Sequence, residues 1–282
     1  MDFNPTYFSH PLAENGTLTD PNEEIRAFWI RHGIACIRIS EYFARETGFP
    51  CLMNIWIPDG FKDIPADRLG PRMRFMDSLD QILGCGYDKE LVYVTLESKV
   101  FGIGLESYTV GSNDFYIGYG AQNNKIVTLD TGHFHPTESV ADKLSSLLLY
   151  VPEVMLHVSR PVRWDSDHVT IINDETLDLM QNGAEGVISV ASNIVPSMVA
   201  DLTHAMLEGN VEAAQKLHET LSPLFRDCFI ESNPIPTKAA LSAMGFIQNE
   251  CRLPLVPASQ GAYDQMLQTI QVLPYAGNPY LQ

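Results

Sequence analysis

Apolar and polar residues recur along the chain with the period of a helix in some stretches and as short strand-like runs in others. Between residues 22 and 47, apolar side chains such as Ile30, Ile34 and Ile37 follow each other at three- or four-residue spacing, and Gly48 comes next. This spacing predicts an amphipathic helix that ends near Gly48. Further helices are predicted over residues 68–83 and 137–150, and the pattern is helical from residue 196 onward.

Short apolar runs between these helices have the length of strands. Such runs occur over residues 51–57, 91–96, 125–129, 153–158 and 187–190. Strands that alternate with helices form βαβ units, so we expect an α/β fold with a parallel sheet of the (β/α)8 barrel type. A complete barrel has eight strands, and residues 2–5 read as the polar end of one more strand that would begin before Met1. We therefore expect a partial barrel followed by a helical C-terminal extension.

Composition excludes several classes of function. The formal net charge of the 282-residue chain is −17, and no cluster of Lys and Arg offers a surface for nucleic acid. The five cysteines are scattered without a CxxC pair, which is typical of reduced thiols. No apolar run approaches the roughly 20 residues that a membrane helix needs, and the N-terminus has no signal-peptide pattern. We expect a cytoplasmic protein with no membrane or nucleic-acid partner.

Ionisable residues follow three of the predicted strands at the point where each strand ends. Glu97 and Lys99 follow the second strand, Asp130 and His133 follow the third, and His157 lies at the end of the fourth. Because the carboxyl ends of barrel strands form the mouth where catalysis occurs, we expect these side chains to converge. So many unpaired carboxylates would repel each other without a cation. The pattern therefore predicts a divalent-metal site.

Nitrogen and oxygen ligands without thiolate suit Mn²⁺, Mg²⁺, Co²⁺ or Zn²⁺. The candidate ligands exceed the needs of one ion, which makes two neighbouring metals plausible. One ion would be held by Glu97, Asp130 and His157, and the other by His133, Asp165 and Asp167.

Other polar and aromatic residues near these strand ends can be interpreted in two ways. Lys99 either binds a substrate oxygen or neutralises a carboxylate, and Trp56 lines a ligand site or belongs to the core. His135 and His168 are interpreted as loop residues or as hydrogen-bond partners of the ligands.

Long motifs in the first part of the chain resemble L-rhamnose isomerase. They are NIWIPDG at 54–60, ESKVFGIG at 97–104, ESYTVGS at 106–112, DTGHFHPTE at 130–138 and HVSRPVRWDSDH at 157–168. The resemblance covers about residues 1–172. It implies a Mn²⁺-dependent aldose–ketose isomerase that interconverts L-rhamnose and L-rhamnulose, with a second divalent ion such as Zn²⁺ or Mn²⁺.

The same resemblance implies roles for individual residues. Glu97, Asp130 and His157 would bind a structural ion, and His133 with Asp165 and Asp167 would bind the catalytic ion. Lys99, Asp165 and His133 would act on the substrate, and Lys99 and Trp56 match positions near the sugar. In the family, a further Asp on the last strand completes the structural site, and this chain has no carboxylate in the corresponding run at 187–190.

The remainder of the chain, about residues 173–282, is similar to the C-terminal third of dihydrodipicolinate synthase and its lyase relatives. The motifs are DETLDLM at 174–180, GVISV at 186–190, FIESNPIPTK at 229–238 and RLPL at 252–255. Those enzymes act through a Schiff-base lysine, and Lys99 is the one lysine of this sequence that follows a predicted strand in a suitable place. Three hypotheses therefore stand: a sugar isomerase, a Schiff-base aldolase or lyase, and an inactive fusion of two truncated barrels. A homo-oligomer is expected, because open sheet edges pair with other copies.

Overall fold

A computed structural model describes residues 2–100, 107–159 and 189–273, together with residues 178, 179, 183 and 187. The described residues fall into two compact units, one that contains residues 2–159 and one that contains residues 189–273. No helix within these ranges is long and apolar enough to cross a membrane.

The first unit is built around a five-stranded sheet whose strands are all parallel. Its strands, in spatial order, are β1 (Asp2–Phe3), β2 (Cys51–Ile55), β4 (Val92–Glu97), β6 (Ile126–Asp130) and β7 (Val154–His157). Two further strands, β3 (Gly60–Phe61) and β5 (Tyr108–Thr109), form a separate antiparallel pair.

Among the described residues of the first unit, four helices connect these strands. They are α1 (Glu23–Thr47), α2 (Leu69–Leu83), α3 (Asn113–Asn123) and α4 (Val140–Leu147). The helix α1 begins where the Asn22 side chain accepts a hydrogen bond from the Glu24 amide, and it ends at Gly48, whose φ of 73° is left-handed.

The two faces of the sheet differ in chemistry. One face carries buried apolar residues such as Met53 and Leu96, which belong to a core shared with Ile37 of α1 and Phe75 of α2. Side chains alternate between the faces of a strand, so the neighbouring positions carry the buried polar residues Asn54, Thr95, Glu97, Thr128 and Asp130. The polar face is where the ionisable residues meet.

The second unit consists of helices over the residues that the structure describes. They are α5 (Pro196–Leu207), α6 (Val211–Asp227), α7 (Ile235–Ala243) and α8 (Gln260–Val272). Buried residues such as Val199, Leu221, Ala240 and Ile270 form its core. The buried Asp227 carboxylate joins α6 to α8 by accepting a hydrogen bond of 2.5 Å from the Thr269 hydroxyl.

Most of the predicted elements are confirmed, with ends shifted by one to three residues. The predicted strand over 187–190 is wrong at all three of its described residues, since Val187 and Ser189 belong to no strand. Val190 begins a short 3-10 helix, because the Ser189 carbonyl accepts hydrogen bonds from the amide and the hydroxyl of Ser192. Residue 188 lies outside the described ranges. The helix α3 was missed, because Gly118 and Gly120 interrupt its apolar pattern.

Candidate metal centre

The ends of three neighbouring strands bring the candidate ligands together. Glu97 ends β4, Asp130 ends β6 and His157 ends β7. In the parallel register, Asp130 lies directly beside His157, and Glu97 lies beside Thr128, two residues before Asp130. Side chains two residues apart share a face of the strand. All three ligands therefore reach the same space at one edge of the sheet.

Glu97 is held in place by a buried asparagine. The Asn54 amide on β2 donates a short hydrogen bond to Oε2 of Glu97, and the Asn54 carbonyl oxygen accepts hydrogen bonds from the hydroxyls of Thr95 (2.9 Å) and Thr128 (3.0 Å). The other carboxylate oxygen, Oε1, lies 3.0 Å from Nδ1 of His157. One oxygen of Glu97 is thus fixed by Asn54 and the other faces the centre.

Asp130 is oriented by a tight turn. Its Oδ1 accepts a hydrogen bond of 2.7 Å from the Gly132 amide and caps the 3-10 helix Thr131–His133. Its Oδ2 lies 3.8 Å from Nδ1 of His157 and 3.8 Å from Nε2 of His133. The turn also brings His133 back toward the sheet, with Nδ1 at 3.8 Å from Oε1 of Glu97.

The pKa values of these groups are displaced by burial and by each other. Burial, together with the negative charge of Glu97, raises the pKa of Asp130 to about 6. Burial also opposes ionisation of Glu97, but the hydrogen bond and charge of His157 outweigh it and lower the pKa of Glu97. Burial opposes protonation of His157, yet its hydrogen bond to Glu97 and the two carboxylates raise its pKa. Positive charge at this centre is therefore favourable.

The residues at the centre fit a divalent cation. Glu97, Asp130 and His157 each offer a ligand atom, and these atoms lie within 4.8 Å of one another. Nε2 of His157 is buried and has no hydrogen-bond partner among the described residues. Two carboxylates and an imidazole form a mixed oxygen and nitrogen set, which suits divalent metals of the Mn²⁺ and Zn²⁺ type.

Two other sequence-predicted residues lie beside this edge of the sheet. The Lys99 ammonium donates a hydrogen bond of 2.8 Å to the Pro58 carbonyl, so it reaches from β4 toward the segment that follows β2. Trp56, at the start of that segment, is half-buried and packs edge-on against Phe8, with ring centroids 5.9 Å apart. Phe8 is 58% exposed. The pair offers a partly exposed apolar surface.

The remaining sequence-predicted residues divide into two groups. Asp165, Asp167 and His168 lie outside the described residues. His135 lies in an exposed loop, where its Nδ1 is 2.7 Å from the Thr137 hydroxyl.

Sequence reasoning missed the role of Asn54. The signal that could have identified it is an asparagine in an otherwise apolar strand, since a buried amide needs partners.

The fold and the site together define a class of protein: an α/β protein with a partial parallel barrel and, at the carboxyl ends of its strands, a group of residues that could hold a metal ion. Comparison with protein families narrows this class. The L-rhamnose isomerase family matches residues 1–191, and the dihydrodipicolinate synthetase family matches residues 166–273. The chain belongs to the L-rhamnose isomerase family, and its C-terminal part carries a segment similar to the second family.

Individual relatives match part of the chain. L-rhamnose isomerase of Bacteroides thetaiotaomicron is 63% identical over 179 residues, which are 64% of this chain and 42% of the relative. L-rhamnose isomerase of Mannheimia succiniciproducens is 49% identical over 208 residues, which are 74% of this chain and 47% of the relative. The chain therefore spans about half the length of the curated relatives it matches.

Among solved structures, the dihydrodipicolinate synthase of Thermotoga maritima matches 92% of this chain and 84% of its own, with a TM-score of 0.54 at 24% identity. This likeness concerns the fold alone. It agrees with the expected partial barrel.

Proposed function

We propose that this chain is a divalent-metal-dependent aldose–ketose isomerase that converts L-rhamnose to L-rhamnulose and uses Mn²⁺. The observation that carries the proposal is the buried Glu97, Asp130 and His157 group in a chain that belongs to the L-rhamnose isomerase family. A bound divalent ion supplies positive charge that polarises a sugar carbonyl and stabilises alkoxide charge while hydrogen moves between C1 and C2.

The chain's own residues would bind and orient the sugar. The Lys99 ammonium lies near the carboxyl ends of β2 and β4 and would donate to a sugar oxygen, in addition to its bond with Pro58. The rings of Trp56 and Phe8 would cover the C–H face of the sugar and exclude water from it. Asp165 and Asp167 are proposed as further carboxylates for metal and substrate, with Asp165 acting on the sugar together with Lys99 and His133.

We further propose that the chemistry belongs to residues 1–172 and that residues 173–282 supply scaffold. Lys216 lies on α6 and Lys238 lies on α7, so neither follows a strand as a Schiff-base lysine of a barrel would. We therefore assign no Schiff-base role to the second part. A homo-oligomer is also proposed, on the ground that within the described residues the short strand β1 is the edge strand at one side of the sheet.

The test is an isomerase assay on the full chain. Metal-stripped protein is expected to be inactive with L-rhamnose, and addition of Mn²⁺ is expected to restore formation of L-rhamnulose. Glu97→Gln should abolish the Mn²⁺-dependent rate. Glu138→Gln is the matched control, since Glu138 pairs with Lys143 at the surface and should leave the rate unchanged. A folded, metal-loaded protein without turnover would overturn the proposal and favour the inactive fusion.

A further inference from the structure

The loop that follows β2 is fixed in the first unit by one buried carboxylate, that of Asp59. We infer that Asp59 is a positioning residue for sugar binding, which holds the Pro58 carbonyl, and through it Lys99, in the arrangement that receives the substrate. Asp59 is 4% exposed, so it acts through other residues and not by contact with the sugar. The inference rests on the proposed function, because it takes the sugar of that reaction as the ligand.

Two threonines that precede α1 bind the Asp59 carboxylate. Its Oδ1 accepts a hydrogen bond of 2.6 Å from the Thr17 hydroxyl. Its Oδ2 accepts from the Thr17 amide at 2.8 Å, and from the amide and the hydroxyl of Thr19 at 3.2 and 2.5 Å. Both threonines are buried. A carboxylate stays ionised away from water only where hydrogen bonds replace its hydration, so these bonds fix the loop to residues 17–19.

Residues 17–19 are themselves anchored to the helix α2. Leu18 is fully buried in the core, and its carbonyl accepts a hydrogen bond of 2.7 Å from the Ser78 hydroxyl. The Thr19 carbonyl accepts another, also of 2.7 Å, from the Arg74 guanidinium. Asp59 therefore ties the loop to a packed helix, and support of this kind keeps binding groups in a precise position.

Both ends of Lys99 are connected to Asp59. At the tip of the side chain, the ammonium donates a hydrogen bond of 2.8 Å to the Pro58 carbonyl, which shares a peptide plane with the Asp59 amide. At the backbone, the Lys99 amide donates to the Gly111 carbonyl at 3.0 Å. The amide of Val110, next to Gly111, donates to the Asp59 carbonyl at 3.1 Å. A shift of Asp59 would therefore move the partners of both the amide and the ammonium of Lys99.

The same carboxylate holds the two walls of a cavity beside Trp56. Phe8, which packs edge-on against Trp56, belongs to one wall, and Pro58 belongs to the other. The cavity has a volume of about 390 Å³ and is lined by Phe8, His10, Pro11, Ala13, Glu14 and Pro58. Pro58 directly precedes Asp59, and Thr17 follows Glu14 by three residues. The hydrogen bonds between Asp59 and Thr17 therefore keep the two walls, and the surface formed by Trp56 and Phe8, in a fixed arrangement.

The experiment measures sugar binding and turnover by the Mn²⁺-loaded full chain and its variants. The binding probe is the alditol of L-rhamnose, which has no carbonyl group and cannot isomerise, and its Kd is measured by calorimetry. Asp59→Asn should raise this Kd, and the KM for L-rhamnose, by about tenfold or more, because an asparagine cannot accept all four hydrogen bonds. Its kcat should change less than its KM. Its affinity for Mn²⁺ should stay within about threefold of the parent, since the candidate metal ligands lie on other strands.

Three variants separate positioning from loss of stability. Thr19→Val removes one hydroxyl from Asp59 and should weaken sugar binding, whereas Thr19→Ser retains the hydroxyl and should bind as the parent does. Ser78→Ala is the matched control, because it removes a buried hydrogen bond from the same segment at Leu18 and leaves Asp59 untouched. Urea unfolding gives the loss of stability in each variant, and Ser78→Ala should lose stability without a change in Kd or KM. If Asp59→Asn does not fold, the comparison of Thr19→Val with Thr19→Ser provides the test.

Two outcomes would overturn the inference: a sugar affinity in Asp59→Asn and Thr19→Val equal to that of the parent, or equal weakening in Ser78→Ala. The same measurements separate this inference from the proposed function. Binding of the alditol by the parent without turnover of L-rhamnose defeats the isomerase proposal alone, and turnover with an unchanged KM in Asp59→Asn defeats the positioning role alone. A parent that neither binds the alditol nor converts L-rhamnose defeats both.

Discussion

Replacing Asn54 with alanine would test the polar network that supports the metal centre. Asn54 is 1% exposed and joins Glu97, Thr95 and Thr128 through hydrogen bonds, and its amide also donates to Oδ1 of Asn4 at 2.9 Å. The two threonines are fully buried. Alanine would remove the oxygen that accepts hydrogen bonds from both threonine hydroxyls, and it would remove the amide that donates to the buried Glu97 carboxylate.

The expected cost follows from these losses. A buried polar group left without a partner costs about 1–3 kcal/mol, and such losses in one network do not simply add. We expect Asn54→Ala to lower the free energy of unfolding of the metal-free protein by roughly 3–5 kcal/mol. Because Asn54 fixes Glu97, affinity for the first divalent ion should also fall by about 10- to 100-fold.

The assay is urea unfolding followed by tryptophan fluorescence, since Trp29, Trp56 and Trp164 all lie in the isomerase-like part of the sequence. Asn4→Ala is the matched control, because Asn4 is exposed and shares only one of these hydrogen bonds with Asn54. It should cost less than about 1 kcal/mol. A loss below about 1 kcal/mol in Asn54→Ala would refute the argument that this network stabilises the unit.

Three further predictions concern other parts of the chain. Asp227 is buried, and although burial opposes its ionisation, hydrogen bonds from Arg226 and Thr269 lower its pKa. The stability that the ionised carboxylate contributes should be present above about pH 4 and lost as pH falls through the folded-state pKa. Urea unfolding measured at several pH values should show this loss in the parent protein and not in Asp227→Asn. Gly33→Ala should destabilise the first unit by about 1–3 kcal/mol in the same assay, although alanine is favoured over glycine in helices. The reason is that a Cβ at position 33 would lie 2.7 Å from Cδ1 of Ile82. A stabilised variant would show that the Ile82 side chain moves aside at little cost. Borohydride treatment with pyruvate should leave Lys99 unlabelled by mass spectrometry, and a pyruvyl adduct on Lys99 would instead support the Schiff-base lyase.

The sequence predicted those features that depend on a short local pattern. Glu97, Asp130 and His157 each end an apolar run, so the strands and the meeting of their ends could be inferred together. The contact of His133 with both carboxylates could not, because it depends on the 3-10 turn after Asp130. The partners of Asn54 could not be inferred either, since they lie 41, 43 and 74 residues away in the sequence.

The second half of the chain illustrates the same limit. A run of Val, Ile, Ser and Val at 187–190 has the composition of a strand, yet Val190 belongs to a 3-10 turn. Its conformation is set by hydrogen bonds that the Ser189 carbonyl accepts from Ser192, a residue that lies outside this run. Tertiary and turn contacts override propensity in segments this short.

The adjacency of β4, β6 and β7 has a consequence for inheritance. These strands are neighbours in the sheet, and they also follow each other along the chain, with only the short strand β5 between β4 and β6. A recombination event outside codons 54–157 therefore transfers Glu97, Asp130 and His157 as one block together with Asn54, which orients Glu97. Exchange of the segment that follows can change the scaffold of such a protein while the ion-binding cluster passes intact to its descendants.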